Sequence, residues 1–156
     1  MEPVTLRTAQ WDEIEGQWQT LVREGFHTAY IGIGEAYARV GDVDTKIASM
    51  AVYKDALAVW TAWSGNQLIG LIAAKVTQEC LAIYDLFVAI AFRRQGIGRR
   101  LIEQAIQDSQ VSTVAAEVNS ENIASQLLFE ALGFQRAIVS QWFVLQVQQA
   151  APCQMP

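Results

Sequence analysis

The sequence predicts an α/β fold with a mixed, mostly antiparallel central sheet flanked by helices. Three observations carry this. Three β-like runs, 56–63, 67–76 and 80–88, follow one another across short polar turns, the pattern of an antiparallel meander. A helix-period run at 96–108 then leads to another β-like run at 111–118, and a strand–helix–strand order implies a right-handed parallel crossover. A second helix pattern at 119–132 precedes a last strand at 135–145.

Taken in order, residues 3–9 alternate apolar and polar side chains, with Val4 and Leu6 on one face, and read as the first strand. Thr8 is placed to cap a helix running to about Glu24, with Trp11, Ile14, Trp18, Leu21 and Val22 on one side and Gly25 as its stop. From His27 to Tyr53 the pattern is irregular and fits one or two short helices broken at Gly32, Gly34 and Gly41. Ser64-Gly65-Asn66 is a hairpin turn, and Thr77 to Glu79 forms the next connection. Ile97, Leu101 and Ala105 recur at helical spacing beside Ile102 and Ile106. In the following helix Asn119 or Ser120 is the cap, and Ile123, Ala124, Leu127, Leu128 and Ala131 form the expected buried stripe. Gly133-Phe134 has the form of a helix stop in which Phe134 packs back on Phe129. Residues 1–146 are read as one domain and 147–156, rich in Gln, Ala and Pro, as a flexible tail.

The bulk composition agrees with one domain. A chain of 156 residues, 52% apolar and 17% charged, can bury a sizeable core. A net charge of −5 argues against a nucleic-acid or anionic-membrane surface, because phosphate binding needs surplus Lys and Arg. It tolerates a cationic acceptor such as an amine. Cys80 and Cys153 fall in a strand and in the tail, which disfavours a bridge, and no Cys/His spacing suggests a metal. No signal-like leader and no 18-residue apolar stretch is visible, so a reducing cytoplasm is the expected setting.

The most informative segment follows the third meander strand: Leu86-Phe87-Val88, a short loop, then Arg93-Arg94-Gln95-Gly96-Ile97-Gly98-Arg99-Arg100. A helix opening there offers unpaired N–H groups and a positive dipole end. Glycines at 96 and 98 remove the Cβ atoms that would hold a phosphate away, and four arginines surround the turn. A diphosphate-bearing ligand would use all of these features together; a Gly-containing turn with a solvated basic face is the plainer alternative. The spacing is neither a P-loop nor a dinucleotide-binding fingerprint. Gly32-Ile33-Gly34 has neither a preceding strand nor a basic cluster and carries no such reading.

The run Arg93-x-x-Gly96-x-Gly98 after Leu86-Phe87-Val88 resembles the acetyl-CoA-binding motif of the GNAT N-acetyltransferase superfamily. The run from Asn119 through Asn122, Ala124 and Phe129 to Gly133-Phe134 resembles that family's second motif, in the family's order. The resemblance implies a sheet splayed between its fourth and fifth strands, here between 84–88 and 114–118, with the pantetheine arm of acetyl-CoA in the gap. It implies that backbone groups of Phe87 and Val88 bind this arm, and that backbone N–H groups of Arg93, Arg94, Gln95, Gly96, Ile97, Gly98 and Arg99 hold the pyrophosphate. Asn122, Ser125 and Phe129 would line the opposite wall. A homodimer is an expectation from the resemblance alone.

Direct acyl transfer to an amine needs a base for the amine, a stabilised carbonyl oxygen and a proton for the departing thiolate. Asp85, mid-strand between apolar neighbours on a strand expected to be buried on both faces, is the first candidate base; its placement also resembles that of acidic residues in the family. The alternative is an Asp that caps a bulge or pairs with an arginine. Glu117, near the end of the next strand, is a second candidate, and Tyr84 a third, though it should point away from the face that Asp85 uses. The position matching the family's usual acid is Phe129, which has no proton to give. His27, Tyr30 and Tyr37 lie in the segment that often covers the acceptor in the family, and any of them would be a substitute. The leading expectation is an acetyl-CoA-dependent N-acetyltransferase acting on a small-molecule or peptide amine. A non-catalytic acyl-CoA sensor and an unrelated nucleotide-binding protein are the alternatives.

Overall fold

The computed structural model describes residues 2–30, 43–118, 122–137 and 142–147, with the backbone alone for 26–30 and 142. Seven strands form one sheet in the order β1-β2-β3-β4-β5-β7-β6. They are β1 (Val4–Ala9), β2 (Ala58–Ser64), β3 (Gln67–Val76), β4 (Cys80–Val88), β5 (Thr113–Glu117), β6 (Gln135–Arg136) and β7 (Trp142–Gln146). The predicted meander is present, with Gly65 at φ +56° in its first turn. The crossover is also present, since β4 pairs parallel with β5 while the other neighbours run antiparallel. The last strand is two pieces, and β7 inserts between β5 and β6.

Among the described residues four helices flank the sheet: α1 (Gln17–Tyr30), α2 (Val43–Tyr53), α3 (Ile97–Ser109) and α4 (Ile123–Ala131). Leu86 and Val88 face Gly98 at the start of α3, whereas Phe87 between them faces Gly25 of α1. Alternation along β4 therefore sets α1 and α3 on opposite faces. The core between these layers holds Trp11, Trp18, Trp60 and Trp63 with Ile69, Leu71, Ile72, Leu101, Ile102 and Phe143. The indole N–H groups of Trp11, Trp60 and Trp63 each find an acceptor, on Leu57 O, Asp108 and Thr61, so the rings are buried without orphaning a donor.

Several boundaries differ from the sequence reading. Thr8 is not a cap: it lies within β1, a 3-10 turn (Trp11–Ile14) follows, and α1 begins only at Gln17. Gly25 does not stop α1 but lets it approach the sheet, since a Cβ there would lie 2.7 Å from Phe87 Cδ1. The second predicted region contains the end of α1 and all of α2, while Gly32, Gly34 and Gly41 lie outside the described residues. In α4 the expected stripe is wrong by a rotation of the helix. Ile123 and Leu127 are 58% and 60% exposed, and the buried residues are Gln126 and Phe129. Gln126 is tolerated inside because Arg136 donates to its Oε1 at 2.8 Å. Asn119 and Ser120 lie outside the described residues, and Asn122 is the cap, its Oδ1 accepting the Ser125 N–H at 3.2 Å. The stop at Gly133 is as expected, with φ +89°, the Phe134 N–H donating to Phe129 O at 3.0 Å, and the two rings 4.9 Å apart edge to face. Among the described residues no helix is long and apolar enough to cross a membrane.

The Gly25 contact is testable. Gly25→Ala should lower the free energy of unfolding by about 1–3 kcal/mol through overpacking against Phe87. The cost should shrink in a background of Phe87→Ala, a non-additivity that urea denaturation of the double-mutant cycle would read.

Candidate active site

The site begins with an irregularity in β4. Ala73 of β3 faces Asp85 and Ala74 faces Ile83, so Tyr84 is an extra residue, a β-bulge. Tyr84 is half-exposed, which corrects the expectation of a strand buried on both faces, while Asp85 beside it is buried. Pairing with β5 ends at the same place. It runs from Cys80↔Thr113 to Ile83↔Ala116 and no further. The gap is therefore real but shorter than 114–118 on the β5 side, because Val114 to Ala116 are still paired. From Tyr84 onward β4 has, among the described residues, a strand neighbour only on its β3 side, as far as Gly70↔Val88, and alternate backbone groups of 84–88 are left facing the gap.

At the end of β4 the chain is pinned and then turned. Ala89 N–H donates to Ile69 O at 2.8 Å, Ile90 N–H to Glu24 Oε1 at 2.6 Å, and Arg93 Nε–H to Val88 O at 3.0 Å. A 3-10 turn (Ile90–Phe92) leads to Arg94 and Gly96, both left-handed at φ +60° and +75°. The first bond of α3 at this end is Arg100 N–H to Gly96 O at 3.0 Å. The N–H groups of Ile97, Gly98 and Arg99 therefore leave the helix end without an intrahelical acceptor. A Cβ on Gly96 would meet nothing within 4 Å, and one on Gly98 would lie 3.4 Å from Leu128 of α4 and 3.8 Å from Leu86 and Val88. Gly96 thus leaves the space before the helix end bare, where free N–H groups can bind an anion, while Gly98 lets α3 lie close to α4 and the end of β4. The arginines divide the work: Arg93 braces the loop, Arg99 pairs with Glu103 at 3.0 Å, and Arg100 reaches Val4 O. Among the described residues only Arg94 of the four has no protein partner.

The acidic candidate is held from outside the sheet. Lys46 Nζ of α2 lies 2.6 Å from Asp85 Oδ1, and the Tyr53 hydroxyl, also from α2, donates to Asp85 Oδ2 at 2.8 Å. Lys46 Nζ is in turn 3.3 Å from the Tyr53 oxygen. The Asp85 side chain is 3% exposed and that of Lys46 26%. Asp85 is thus paired, with a lysine rather than the arginine of the alternative reading. Burial, and then the charge of Asp85, push the Tyr53 hydroxyl well above the ordinary tyrosine range, so it stays protonated as a donor. Nothing in the sequence marked Lys46 or Tyr53, which stand 39 and 32 positions from Asp85; the 32-position separation is that of the Tyr53 bond.

The other candidates sit apart from this cluster. Glu117 is exposed at the end of β5, paired in register with Trp142. Phe129 is buried between Phe134 and Phe143. Asn122 and Ser125 are half-buried at the start of α4. Tyr37 and the side chains of His27 and Tyr30 lie outside the described residues. Cys80 is free, and burial pushes its thiol up, away from a reactive thiolate.

Against known proteins, the model of the acetyltransferase (GNAT) family matches residues 21–134. The chain belongs to the GNAT acetyltransferase family. That match runs from within α1 to just past the end of α4, including the gap, the turn and Asp85. The fold is similar to that of PaiA N-acetyltransferase from Thermoplasma acidophilum, solved in complex with coenzyme A, with a TM-score of 0.69 and 18% identity over 91% of this chain and 96% of that one. It is also similar to an IAA acetyltransferase from Bacillus cereus (TM-score 0.70, 14% identity, 93% and 100% covered). A third similar fold is the ribosomal-protein-S18-alanine N-acetyltransferase of Escherichia coli (TM-score 0.66, 16% identity, 98% and 99% covered). No curated protein sequence matches. At these identities the solved structures speak for the fold. Membership of the family makes the protein a transferase whose co-substrate is acetyl-CoA, and the open N–H groups and bare glycines at 96 and 98 fit such a ligand.

Two outcomes follow. Gly98→Leu should crowd the space between α3, α4 and the end of β4, where a Cβ already reaches Leu128, Leu86 and Val88, and weaken acetyl-CoA binding about tenfold or more, roughly 1.4 kcal/mol, in a calorimetric titration. Because folded Tyr53 keeps a proton that the unfolded chain loses near pH 10, the native state binds more protons there and stability must fall as pH rises above about 10. Tyr53→Phe should flatten that alkaline loss, read as unfolding free energy by urea denaturation between about pH 9 and 11.

Proposed function

We propose that this acetyltransferase moves an acetyl group from acetyl-CoA directly to a primary amine of a small molecule or peptide, with Asp85 as the base. One observation carries the reading: the buried carboxylate at the point where β4 leaves β5 already holds a primary ammonium, that of Lys46, at 2.6 Å. An acceptor amine arrives charged and must give up a proton before it can attack, and a carboxylate in a dry site is suited to take it. Acetyl-CoA, when bound, supplies the activated acyl group. On this reading the backbone of Phe87 and Val88 binds the pantetheine arm in the gap, with Asn122 and Ser125 on the opposite wall. Backbone N–H groups from Arg93 to Arg99, aided by the unpartnered Arg94, hold the pyrophosphate.

Phe129 leaves the departing sulfur without the family's usual proton donor. A thiol with a pKa near 8.5 leaves readily as thiolate, so turnover is slowed rather than lost. Tyr84, half-exposed beside Asp85, is the first substitute, and exposed Glu117 the second. We take residues 1–146 as the domain and 147–156 as its tail, in a cytoplasmic setting without nucleic acid or membrane as partner, and with a homodimer as the assembly to test. A second reading, a sensor that binds acyl-CoA without turnover, draws support from an Asp85 already neutralised by Lys46 and a Phe129 that cannot donate.

Calorimetry with acetyl-CoA, followed by a thiol-release assay over a panel of amines, separates the two. Micromolar binding with thiol release is expected. Asp85→Asn should then lower kcat/KM about 10²–10⁴-fold while leaving the affinity for acetyl-CoA nearly unchanged. Binding with no release on any amine would favour the sensor, and no binding would overturn both readings.

A further inference from the structure

Asp85 is the only charged residue that is buried among the described residues, and the group that neutralises it has the same chemistry as the acceptor proposed above. Lys46 presents a primary ammonium to Asp85 Oδ1 at 2.6 Å, with Tyr53 as a second contact at 3.3 Å. Its side chain is not sealed in, being 26% exposed against 3% for Asp85. It is therefore partly open to solvent, on α2 over the stretch of β4 that has parted from β5. The chain has two other lysines. Lys54 is paired with Asp55 at 2.9 Å beside the Trp11 ring, and Lys75 stands exposed near the end of β3. Neither touches the candidate base.

We propose that Lys46 is itself an acetyl acceptor, so that the protein modifies its own Lys46 Nζ from acetyl-CoA. The inference rests on the reading of Asp85 as the base of an acyl-transfer site. An amine tethered beside the base is acylated as an intramolecular partner, which raises its effective concentration far above that of a free amine. In the step, the ammonium of Lys46 passes one proton to Asp85, and the free amine forms an N–C bond to the thioester carbonyl carbon. The C–S bond breaks, and the amide nitrogen sheds its second proton to solvent. The departing thiolate takes up the proton held by Asp85, so that one lysine ammonium and one thioester become one acetamide, one thiol and one proton in solution. The acetamide is neutral and can no longer pair with Asp85. Self-acetylation thereby removes the internal cation and frees the carboxylate for an external amine.

The test compares two acetylating agents on the wild-type chain, with peptide mapping by mass spectrometry. A freely diffusing N-hydroxysuccinimide acetyl ester should mark exposed Lys75 ahead of ion-paired Lys46. Isotope-labelled acetyl-CoA should reverse the order, with Lys46 carrying at least about tenfold more label than Lys75. The first-order rate should be unchanged on dilution of the protein, as an intramolecular step requires. Lys46→Arg, which keeps a cation beside Asp85, should lose this label. The same order with both agents, or a Lys46 that stays unmarked, would overturn the inference. Thiol release with an added amine while Lys46 stays unmarked would overturn it and leave the acyl-transfer reading standing. The absence of both label and thiol release would remove both.

Discussion

The loss of pairing between β4 and β5 beyond Ile83 and Ala116 is the constraint on which the rest of the molecule depends. A strand that loses one neighbour in the middle of a sheet exposes backbone groups that must be satisfied by something else. The bulge at Tyr84 is the local cause: one extra residue against Ala73 and Ala74 bends β4 and breaks its register. The strand stays extended because β3 continues to pair with it as far as Val88, and because the loop beyond is tied to Ile69, Glu24 and Val88 itself. The opening is thus bounded by a strand that is paired along one edge and, among the described residues, unpaired along the other. The N–H groups at the start of α3 that lack an intrahelical acceptor follow the end of that same strand in the chain.

The same bulge decides how Tyr84 and Asp85 point. It turns Tyr84 outward and Asp85 inward, beneath α2. Burying a carboxylate is costly, and Lys46 with Tyr53 offsets that cost without making the cluster a strong source of stability, since an apolar core of the same shape would serve as well or better. A buried charge retained in this way at the edge of an opening is easier to understand through chemistry than through folding. Helix α2 therefore covers Asp85. It is held by α1, which in turn can lie close to β4 only because Gly25 has no side chain to meet Phe87.

The fold class and the turn were legible because their signals are local. Alternation, Ser64-Gly65-Asn66 and the helix-period run from Ile97 each report on neighbours in the chain, and Gly96, at φ +75°, marks the helix start. The α4 stripe failed because Leu127 and Ile123 look apolar whichever way they point. The helix is rotated instead by Phe129, wedged among Phe134 and Phe143, and by Gln126, which Arg136 satisfies from β6. Gly25 failed for a related reason. A glycine in a helix can mean a stop or a close approach, and only the partner strand distinguishes them.

By itself the sequence determined the order of elements, the parallel crossover, the position of the glycine-rich turn and the presence of a carboxylate in the middle of an apolar strand. Each of these depends on residues within a turn or two of one another. The tertiary structure alone decided where β4 parts from β5, which way Asp85 points and what neutralises it. Those outcomes arise from contacts between distant segments, β3 against β4 and α2 against β4, and Lys46 reaches Asp85 only once the sheet has been built. Periodicity records which residues want to be buried; it carries no record of which buried residues will meet.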